Sequence, residues 1–278
     1  MTQLKFGFLG PGGTFTEEAV AKYPLAAEAV LIPYPSIPEV IMAVAQGQVQ
    51  EGIVPTENSI EGAVNVSLDM LVHQVDLQIK YEVVLPVQHN LLARPGTKIE
   101  DVEIVYSHPQ ALAQCANFTS GRLSQAAVRS TTSTTVAASL VSESQEKWAA
   151  IGTKTAAQLY GLEILVEGIQ AVNDNYTRFL VLAQDDHPPT GQDKTSIAFA
   201  QQKDRPGGLY SIMGEFALRN INLTRIESRP TRKMLGEYIF FLDLEGHRKD
   251  EVVREALEQV AEKTTFFKIL GSYPRYVY

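Results

Sequence analysis

Short apolar runs alternate with helical patterns from the N-terminus to about residue 183, and this alternation limits the possible folds more than any other feature. The apolar runs are typical of buried strands, and the segments between them repeat apolar residues at helical spacing, several after a Ser, Thr or Pro cap. Such alternation predicts an α/β architecture with parallel strands. The predicted strands are 5–9, 30–34, 52–55, 77–85, 104–106, 126–129, 148–151 and 162–166, and the predicted helices are 15–22, 38–46, 64–73, 109–118, 134–142 and 155–160.

The number of strands favours two lobes with a cleft between them over one open sheet. An irregular stretch at 81–94 interrupts the alternation, and a late strand at 177–183 would return the chain to the first lobe. We therefore expect a two-lobed domain of the periplasmic-binding-protein-like kind. Its predicted extent is 1–184, with lobe one at about 1–76 plus 167–184 and lobe two at about 77–166.

A second, smaller domain is predicted after a polar linker at 185–193, which contains a Pro-Pro pair and a glycine. From 194 to 278 the pattern has the order β-α-β-β-α-β, which is the ferredoxin-like split motif of an α+β domain. Its predicted strands are 195–200, 222–228, 238–244 and 265–270, and its predicted helices are 208–219 and 251–262.

Composition excludes several classes of protein. A formal net charge of −8 argues against nucleic acid as the main partner, because binding to a phosphate backbone normally requires a basic face. No apolar segment approaches the ~20 residues of a membrane span, and the N-terminal run reaches Gly10 too soon for a signal peptide. We therefore expect a cytoplasmic protein without membrane contact. Cys115 is the single cysteine, so no internal disulfide can form, and we expect a buried, inert thiol.

The junctions between strands and helices are rich in small hydroxyl and amide residues. In parallel α/β sheets such junctions lie at the carboxyl ends of strands, where backbone amides and helix dipoles attract anions. At any single junction, helix capping is the commoner reason for Ser or Thr, but their repetition favours a site for a small anionic ligand. The junctions are Gly12 to Thr14, Thr56 to Ser59, Ser107 to Gln110, Ser130 to Thr135 and Gly152 to Thr155.

The sequence has no complete nucleotide-binding motif and no metal-binding pattern. The segment 10–15 lacks the third glycine of a dinucleotide fingerprint, and 152–155 lacks the Gly-Lys pair of a Walker loop. The histidines show no metal-ligand spacing, and no pair of nearby carboxylates indicates an acid/base couple. We therefore expect neither a metal nor a cofactor.

Several segments of the chain resemble the signature segments of the prephenate dehydratase family, in the order in which that family has them. They are PGGTFTE at 11–17, PTENS at 55–59, SHPQALAQC at 107–115 and NYTRF at 175–179. Further along, PGGL at 206–209 and IESRP at 226–230 resemble the phenylalanine-binding motifs of the ACT regulatory domain in these enzymes. The resemblance covers essentially the whole chain.

The resemblance implies an activity and its residues. Prephenate, a dicarboxylate, would lose carbon dioxide and its C4 hydroxyl to give phenylpyruvate in L-phenylalanine biosynthesis, with L-phenylalanine as a feedback inhibitor bound at the ACT domain. Because aromatisation drives the reaction, a site of hydroxyls, amides and helix N-termini suits it. The family assigns an essential role to the threonine at Thr177. The implied substrate contacts are Thr14, Asn58, Ser59, Ser107, Gln110, Thr134, Arg178 and Phe179, and the implied effector contacts are Gly207, Gly208, Leu209, Glu227, Ser228, Arg229 and Pro230.

Some interpretations stay open at this point. Arg178 suits either a substrate carboxylate or a structural ion pair, and Glu57 suits a capping or supporting role. Arogenate dehydratase, with the same chemistry on an amino-acid substrate, and a non-enzymatic anion-binding protein are the alternative functions. The resemblance also implies a homodimer or homotetramer. No helical domain precedes Met1 in the sequence, so we expect no fused chorismate mutase of the kind that some relatives carry.

Overall fold

A computed structural model describes residues 3–201, 206–230 and 237–276 of the chain. The β-strands are β1 (Lys5–Leu9), β2 (Val30–Tyr34), β3 (Glu51–Asn58), β4 (Gly62–Ala63), β5 (Gln78–Pro86), β6 (Asn90–Ala93), β7 (Ile104–Ser107), β8 (Ala127–Ser130), β9 (Trp148–Gly152), β10 (Glu163–Val166), β11 (Tyr176–Ala183), β12 (Asp193–Gln201), β13 (Leu223–Pro230), β14 (Tyr238–Glu245) and β15 (Thr264–Pro274). The α-helices are α1 (Phe15–Val20), α2 (Ile37–Ala45), α3 (Asn65–His73), α4 (Pro109–Gln114), α5 (Ala116–Arg122), α6 (Thr134–Glu143), α7 (Lys154–Tyr160), α8 (Gly208–Ala217) and α9 (Glu251–Glu262). Among these described helices, none is long and apolar enough to cross a membrane.

The first sheet has six strands in the order β2-β1-β3-β11-β5, with the short β4 paired to β3. The late strand β11 lies between β3 and β5, so the chain returns to the first sheet as predicted. Strand β5 also belongs to this sheet, although the sequence pattern assigned it to the second lobe. The boundary between the lobes at about residue 77 stays a prediction.

The second sheet has five strands in the order β10-β6-β9-β7-β8. Strand β7 runs parallel to β8 and β9, whereas β6 is antiparallel to both of its neighbours. The sequence pattern predicted no strand at β6, whose direction makes this sheet mixed. This strand lies within the stretch interpreted as irregular, because the chain leaves the first sheet at Pro86 and enters the second at Asn90, which interrupts the apolar period.

Both faces of the second sheet are buried at its central strands β6, β9 and β7. Leu91 and Ala93 on β6 belong to one apolar cluster with Val105, whereas Leu92 belongs to a second cluster with Tyr106. Neighbouring residues of a strand point to opposite faces, so burial on both faces makes the strand read as a continuous apolar run. This explains why β7 and β9 were recognisable from sequence although they do not alternate.

The helix predicted at 109–118 is divided at Cys115, which ends α4 and precedes α5 with φ −105° and ψ 10°. After the break, the Thr119 hydroxyl donates to the carbonyl oxygens of Cys115 and Ala116, and the Ser120 hydroxyl donates to Ala116. Hydroxyl groups that bond back to backbone carbonyls compete with helical hydrogen bonds and bend helices. The apolar period alone did not reveal this break.

The C-terminal sheet has four antiparallel strands in the order β13-β14-β12-β15. Helices α8 and α9 pack on it through Ile212, Phe216 and Leu257, which share a core with Phe199 of β12 and Leu242 of β14. The observed element order is β12-α8-β13-β14-α9-β15. The predicted α+β ferredoxin-like fold is therefore confirmed.

The described chain divides into two compact units. The first unit contains residues 1–40, 53–64 and 84–179, and the second contains 41–52, 65–83 and 180–278. The second unit thus includes two segments that precede the predicted linker. The ends of the predicted domains at Met1 and Tyr278 lie outside the described residues, and the division into domains at 184 and 194 stays a prediction.

Gly271 in β15 provides a test of packing in the second unit. Its φ is +146°, and a Cβ atom there would lie 2.3 Å from the carbonyl oxygen of Ile79, a backbone atom that cannot turn aside. We expect Gly271→Ala to destabilise the protein by about 3 kcal/mol, which would lower the midpoint of thermal unfolding by roughly 6 °C or more.

The matched control is Gly121→Ala in α5, where no atom lies within 4 Å of the added Cβ. Alanine is favoured over glycine in helices by roughly 0.5–1 kcal/mol, so this variant should unfold at or slightly above the wild-type midpoint. Equal midpoints for both variants would show that β15 can move away from Ile79.

Candidate functional site

A cavity of about 530 Å³ lies in the first unit, where strands β1, β3, β7 and β8 end. Its wall combines hydroxyl, amide and imidazole groups with a smaller set of apolar side chains. It is lined by Leu9, Thr14, Phe15, Thr16, Pro55, Asn58, Glu61, Gly62, Ala63, Val64, Val87, His89, His108, Gln110, Ala111, Gln114, Thr132, Ser133, Thr134, Asn175, Thr177 and Phe179. Among these described lining residues, Glu61 is the single carboxylate, and no lysine or arginine occurs.

Six of the residues predicted to contact a ligand line this cavity. Four of the five strand-to-helix junctions identified in the sequence contribute to it, as expected for strands that end at one edge of a sheet. The six residues are Thr14, Asn58, Gln110, Thr134, Thr177 and Phe179. The junction at 152–155 has another use, since the buried Thr153 hydroxyl donates to the carbonyl oxygen of Gly13.

Three other predicted contacts, Ser59, Ser107 and Arg178, do not line the cavity. Ser107 is fully buried, and its hydroxyl donates to the carbonyl oxygen of Ile151 over 2.7 Å, so it joins β7 to β9. The Ser59 hydroxyl accepts from the backbone N–H of Tyr176 over 2.9 Å. Both side chains therefore support the backbone near the cavity.

Arg178 lies outside the cavity because of strand geometry. Thr177 and Phe179 flank it on β11, and successive side chains of a strand point to opposite faces. Its guanidinium group lies 3.8 Å from the Glu57 carboxylate, and its side chain is 11% exposed. Of the two interpretations left open by the sequence, this geometry favours the structural ion pair, and it gives Glu57 the supporting role.

Asn58 is held by backbone groups and in turn holds Thr177. Its Oδ1 accepts hydrogen bonds from the backbone N–H groups of Ile60 and Glu61, both over 3.0 Å. This fixes the orientation of the amide, so that Nδ2 donates over 2.9 Å to Thr177 Oγ1 and over 2.9 Å to Asn175 Oδ1. Thr177 therefore receives a hydrogen bond on its oxygen and keeps its own hydroxyl hydrogen for another acceptor.

The hydrogen-bond network continues along the cavity wall through three residues that sequence reasoning missed. Asn175 Nδ2 donates to Gln114 Oε1 over 3.2 Å, and His89 Nε2 lies 3.1 Å from the same oxygen. Burial lowers the pKa of His89, and the hydrogen bond with Gln114 partly opposes this effect. The His89 imidazole is therefore neutral near pH 7.

Signals for two of these residues were present in the sequence. Asn175 precedes Thr177 by two positions, which places both on one face of an extended segment. Gln114 follows Gln110 by four positions, which places both on one face of α4. His89 carried no such signal, because it lies where the chain passes from β5 to β6.

Helix N-termini add hydrogen-bond donors to the cavity. The Ser133 hydroxyl accepts from the backbone N–H of Val136 over 3.0 Å and caps α6, whose first residue is Thr134. The positive end of a helix dipole favours anions. The cavity is thus built to bind negative charge through dipoles and hydroxyl groups. In the described part of the chain, no group of three or more His, Cys, Asp and Glu side chains is arranged to hold a metal ion.

The predicted effector residues lie in the second unit, in two groups. Gly207 caps α8 with φ 79°, Gly208 begins this helix, and Leu209 packs against the C-terminal core. The remaining four, Glu227, Ser228, Arg229 and Pro230, lie on β13, where Ser228 and Pro230 are exposed and the other two are partly buried. Neighbouring members of the motif therefore face opposite sides of the strand.

The two charged residues of this motif are paired within the second unit. Glu227 forms an ion pair with Arg225. Arg229 lies 2.9 Å from the Asp69 carboxylate and donates to the carbonyl oxygen of Asn65 over 2.8 Å, with its side chain 11% exposed. Arg229 thus connects β13 to the N-terminal half of α3.

Family models match two regions of the chain. The model for "Prephenate dehydratase" matches residues 6–187, and the model for "ACT domain" matches residues 196–262. The first region contains the cavity, and the second contains α8, β13, β14 and α9 together with most of β12.

Curated relatives have the same names. The bifunctional chorismate mutase/prephenate dehydratase of Aquifex aeolicus is 44% identical over 273 residues, which is 98% of this chain and 74% of that protein. The prephenate dehydratase of Bacillus subtilis is 35% identical over 98% of this chain and 99% of its own length.

Two solved structures are similar over 98% of this chain. The prephenate dehydratase of Arthrobacter aurescens in complex with L-Phe is 36% identical, with a TM-score of 0.89 and 90% of that chain covered. GqqA, described as a novel type of quorum quenching acylase, is 28% identical, with a TM-score of 0.85 and 98% of that chain covered.

Cys115 is the reactive side chain that the site leaves unused. It is fully buried beside the cavity wall, and burial raises the pKa of its thiol to about 12. At about pH 8 the thiolate fraction is then about one part in ten thousand, and the thiolate is the reactive form. We expect the native protein not to react with Ellman's reagent, and the same sample to release one equivalent of chromophore after unfolding in guanidinium chloride. Rapid labelling of the native protein would contradict this burial.

Proposed function

This chain belongs to the prephenate dehydratase family, and we propose that the cavity of the first unit binds prephenate and converts it to phenylpyruvate, carbon dioxide and water. The enzyme is then a carbon–oxygen lyase of L-phenylalanine biosynthesis. We further propose a catalytic domain at 1–184 and an ACT regulatory domain at 194–278, joined by the linker at 185–193. A cytoplasmic location fits a biosynthetic enzyme.

The hydrogen bond from Asn58 to Thr177 is the observation that carries the proposal. Because the Thr177 oxygen already accepts from Asn58 Nδ2, its hydroxyl hydrogen is directed to a ligand in the cavity. In the reaction, the bond between ring and carboxylate breaks and releases carbon dioxide. Its electron pair moves through the ring and expels the C4 oxygen, which leaves as water after gaining one proton. Thr177 would donate a hydrogen bond to that leaving oxygen and orient it.

Dipoles and hydroxyl groups would hold the two carboxylates of prephenate. The described lining residues include no cation, so the substrate is not neutralised by a salt bridge within the cavity. Thr14 and Thr134 provide hydroxyl groups, Gln110 provides an amide, and α6 directs its N-terminus to this wall. Asn58 acts through Thr177, because both of its N–H groups are used within the network. Phe179 would pack against the ring. Ser59, Ser107 and Arg178 would act by holding the strands that carry these groups.

Arogenate is the alternative substrate, and Glu61 is the feature that would favour it. This carboxylate lines the cavity and is exposed, and it would attract the ammonium group that distinguishes arogenate from prephenate. Its exposure weakens such an attraction, because water screens surface charges. Parallel assays with both substrates, on wild type and Glu61→Gln, separate the two activities.

L-Phenylalanine is proposed to inhibit by binding to the ACT domain at Gly207, Gly208, Leu209 and the four residues of β13 named above. The A. aurescens relative was solved with L-Phe, which supports this ligand class. Strand β13 lies at the edge of its sheet, with Ile226 exposed, and an unpaired edge can associate with a second copy. We therefore propose a homodimer or homotetramer.

Arg229 is the proposed connection between effector and catalysis. It binds Asp69 and the carbonyl oxygen of Asn65 on α3, and Asn65 directly follows Val64, which lines the cavity. A ligand can inhibit only if it binds two conformations with different affinity. In this proposal, the two conformations differ in the position of α3.

Replacement of Thr177 tests the catalytic role. Thr177→Val keeps the shape of the side chain but removes the hydroxyl group, and it should lower kcat by about 100-fold or more, because loss of one preorganised donor has that effect. Thr177→Ser should keep much of the activity. The measurement is phenylpyruvate formation from prephenate without added metal or cofactor.

Thr97→Val is the matched control, since Thr97 is not among the residues that line the cavity. It should retain wild-type kinetics. Full activity of Thr177→Val would remove Thr177 from the mechanism. Wild type that turns over neither prephenate nor arogenate would overturn the proposed function itself.

Replacement of Asp69 tests the regulatory role. Asp69→Asn removes the charge that pairs with Arg229, so the L-Phe concentration for half inhibition should rise about five- to tenfold. A change of this size corresponds to a typical coupling free energy between two sites. The uninhibited kcat/KM should stay within about twofold, because Asp69 is not a cavity residue.

The control is Glu258→Gln, which removes a carboxylate from the exposed Arg254–Glu258 pair on α9. Equal inhibition curves for both variants and wild type would show that the pair with Arg229 carries no coupling.

A further inference from the structure

The side chain of Gln114 has a defined orientation, which follows from backbone groups. The backbone N–H groups of Ile60 and Glu61 fix Asn58 Oδ1 as an acceptor, so Asn58 Nδ2 is the donor to Asn175 Oδ1. Asn175 must then direct Nδ2 to Gln114, and the atom that receives it is Oε1. The Gln114 oxygen is therefore an acceptor in this network.

The orientation of Gln114 determines which nitrogen of the His89 ring carries the hydrogen. Since Gln114 Oε1 is an acceptor, His89 Nε2 must be the donor over the 3.1 Å between them. The other ring nitrogen, Nδ1, is buried and has no hydrogen-bond partner among the described residues, so a proton there would be an unsatisfied donor. The ring is thus the neutral tautomer with hydrogen on Nε2.

The surroundings of His89 hold this ring in place. Its side chain is 3% exposed, and the Phe15 ring meets it edge to face, with centroids 5.5 Å apart and an interplanar angle of 81°. Its backbone N–H donates to Gln170 Oε1 over 2.9 Å. A buried ring anchored at backbone and side chain is suited to fixing a neighbour.

Gln114 consequently presents only donors to the cavity. Its oxygen is occupied by two donors, while its Nε2 amide has no hydrogen-bond partner within the described part of the chain, and Gln114 lines the cavity. An NH₂ group binds carboxylate or carbonyl oxygens and cannot accept from an ammonium group. If the amide turned over, the cavity would meet an acceptor oxygen instead and would repel an anion.

We propose that His89 and Asn175 are positioning residues that lock the Gln114 amide with its N–H groups toward the ligand, and that they thereby favour an oxygen-rich anion over an amino-acid ligand. The inference rests on the proposed function, because it assigns to this cavity an anionic substrate. The proposal adds that the buried His89 contributes to substrate selection through Gln114.

Kinetics with prephenate test the proposal. His89→Phe keeps a planar ring but removes the Nε2 donor, and it should lower kcat/KM about tenfold, mainly through KM, since one lost hydrogen bond of about 1.4 kcal/mol is a factor of ten. His89→Gln restores an N–H donor and should recover to within about threefold of wild type. A structural role of the ring alone would not predict this rescue.

A double-mutant cycle separates positioning from independent damage. If His89 acts through Gln114, then His89→Phe in a Gln114→Leu background should change kcat/KM by less than about twofold, because coupled residues are non-additive. Losses that multiply would overturn the proposal, and so would wild-type kinetics of His89→Phe. Circular dichroism and thermal unfolding establish that each variant is folded.

Long-range ¹H–¹⁵N spectra of histidine-labelled wild type give a reading that needs neither a variant nor turnover. We expect the neutral Nε2–H tautomer for His89 at about pH 8. A Nδ1–H tautomer or a charged ring would overturn the positioning role. Absence of turnover with this tautomer present would instead count against the proposed function and leave the His89–Gln114 link intact.

Discussion

The backbone turn that follows β3 determines the chemistry of the cavity. Two N–H groups of this turn bind Asn58 Oδ1, and every hydrogen bond from Thr177 to His89 takes its direction from that contact. Amide and imidazole groups are ambiguous in isolation, because each can donate or accept at the same place. Here the ambiguity is removed at one end by backbone groups that can only donate. A polar network of this kind has one arrangement, which is the preorganisation that electrostatic catalysis requires.

The absence of lysine and arginine from the described cavity wall fits this design. A buried salt bridge would bind a dianion strongly in the ground state, and such binding does not by itself accelerate a reaction. Prephenate loses one carboxylate as neutral carbon dioxide, so a cation paired with that group would oppose its departure. Hydroxyl groups, amides and the α6 N-terminus can hold charge without resisting its movement, and the role proposed for Thr177 is to donate to the oxygen on which charge develops.

The α/β and ferredoxin-like folds could be predicted from the sequence because each buried strand or helix needs apolar residues at a regular spacing. That spacing is visible within a short segment. The strand ends in the sequence led to the expectation that Thr14, Asn58 and Thr177 lie close together, and all three line the cavity, since the carboxyl ends of parallel strands meet at one edge of a sheet. Side-chain direction is not visible in a segment match. Ser107 and Arg178 belong to segments that reach the cavity but do not line it, whereas Asn175 and Gln114 line it at the spacing of Thr177 and Gln110. His89 lies in the segment that connects β5 of the first sheet to β6 of the second, and no local sequence pattern marks such a connection.

The similarity to the GqqA acylase shows why the cavity has to carry the functional conclusion. That structure matches 98% of this chain with a TM-score of 0.85, although it is described by a different activity. A fold can host several reactions, so its match fixes the positions of strands and leaves the chemistry to the side chains at their ends. In the described part of this chain, those side chains include no lysine or arginine and surround Thr177 with directed donors. Such donors suit a reaction that needs orientation and stabilisation of a departing oxygen, which is the reaction proposed for this cavity.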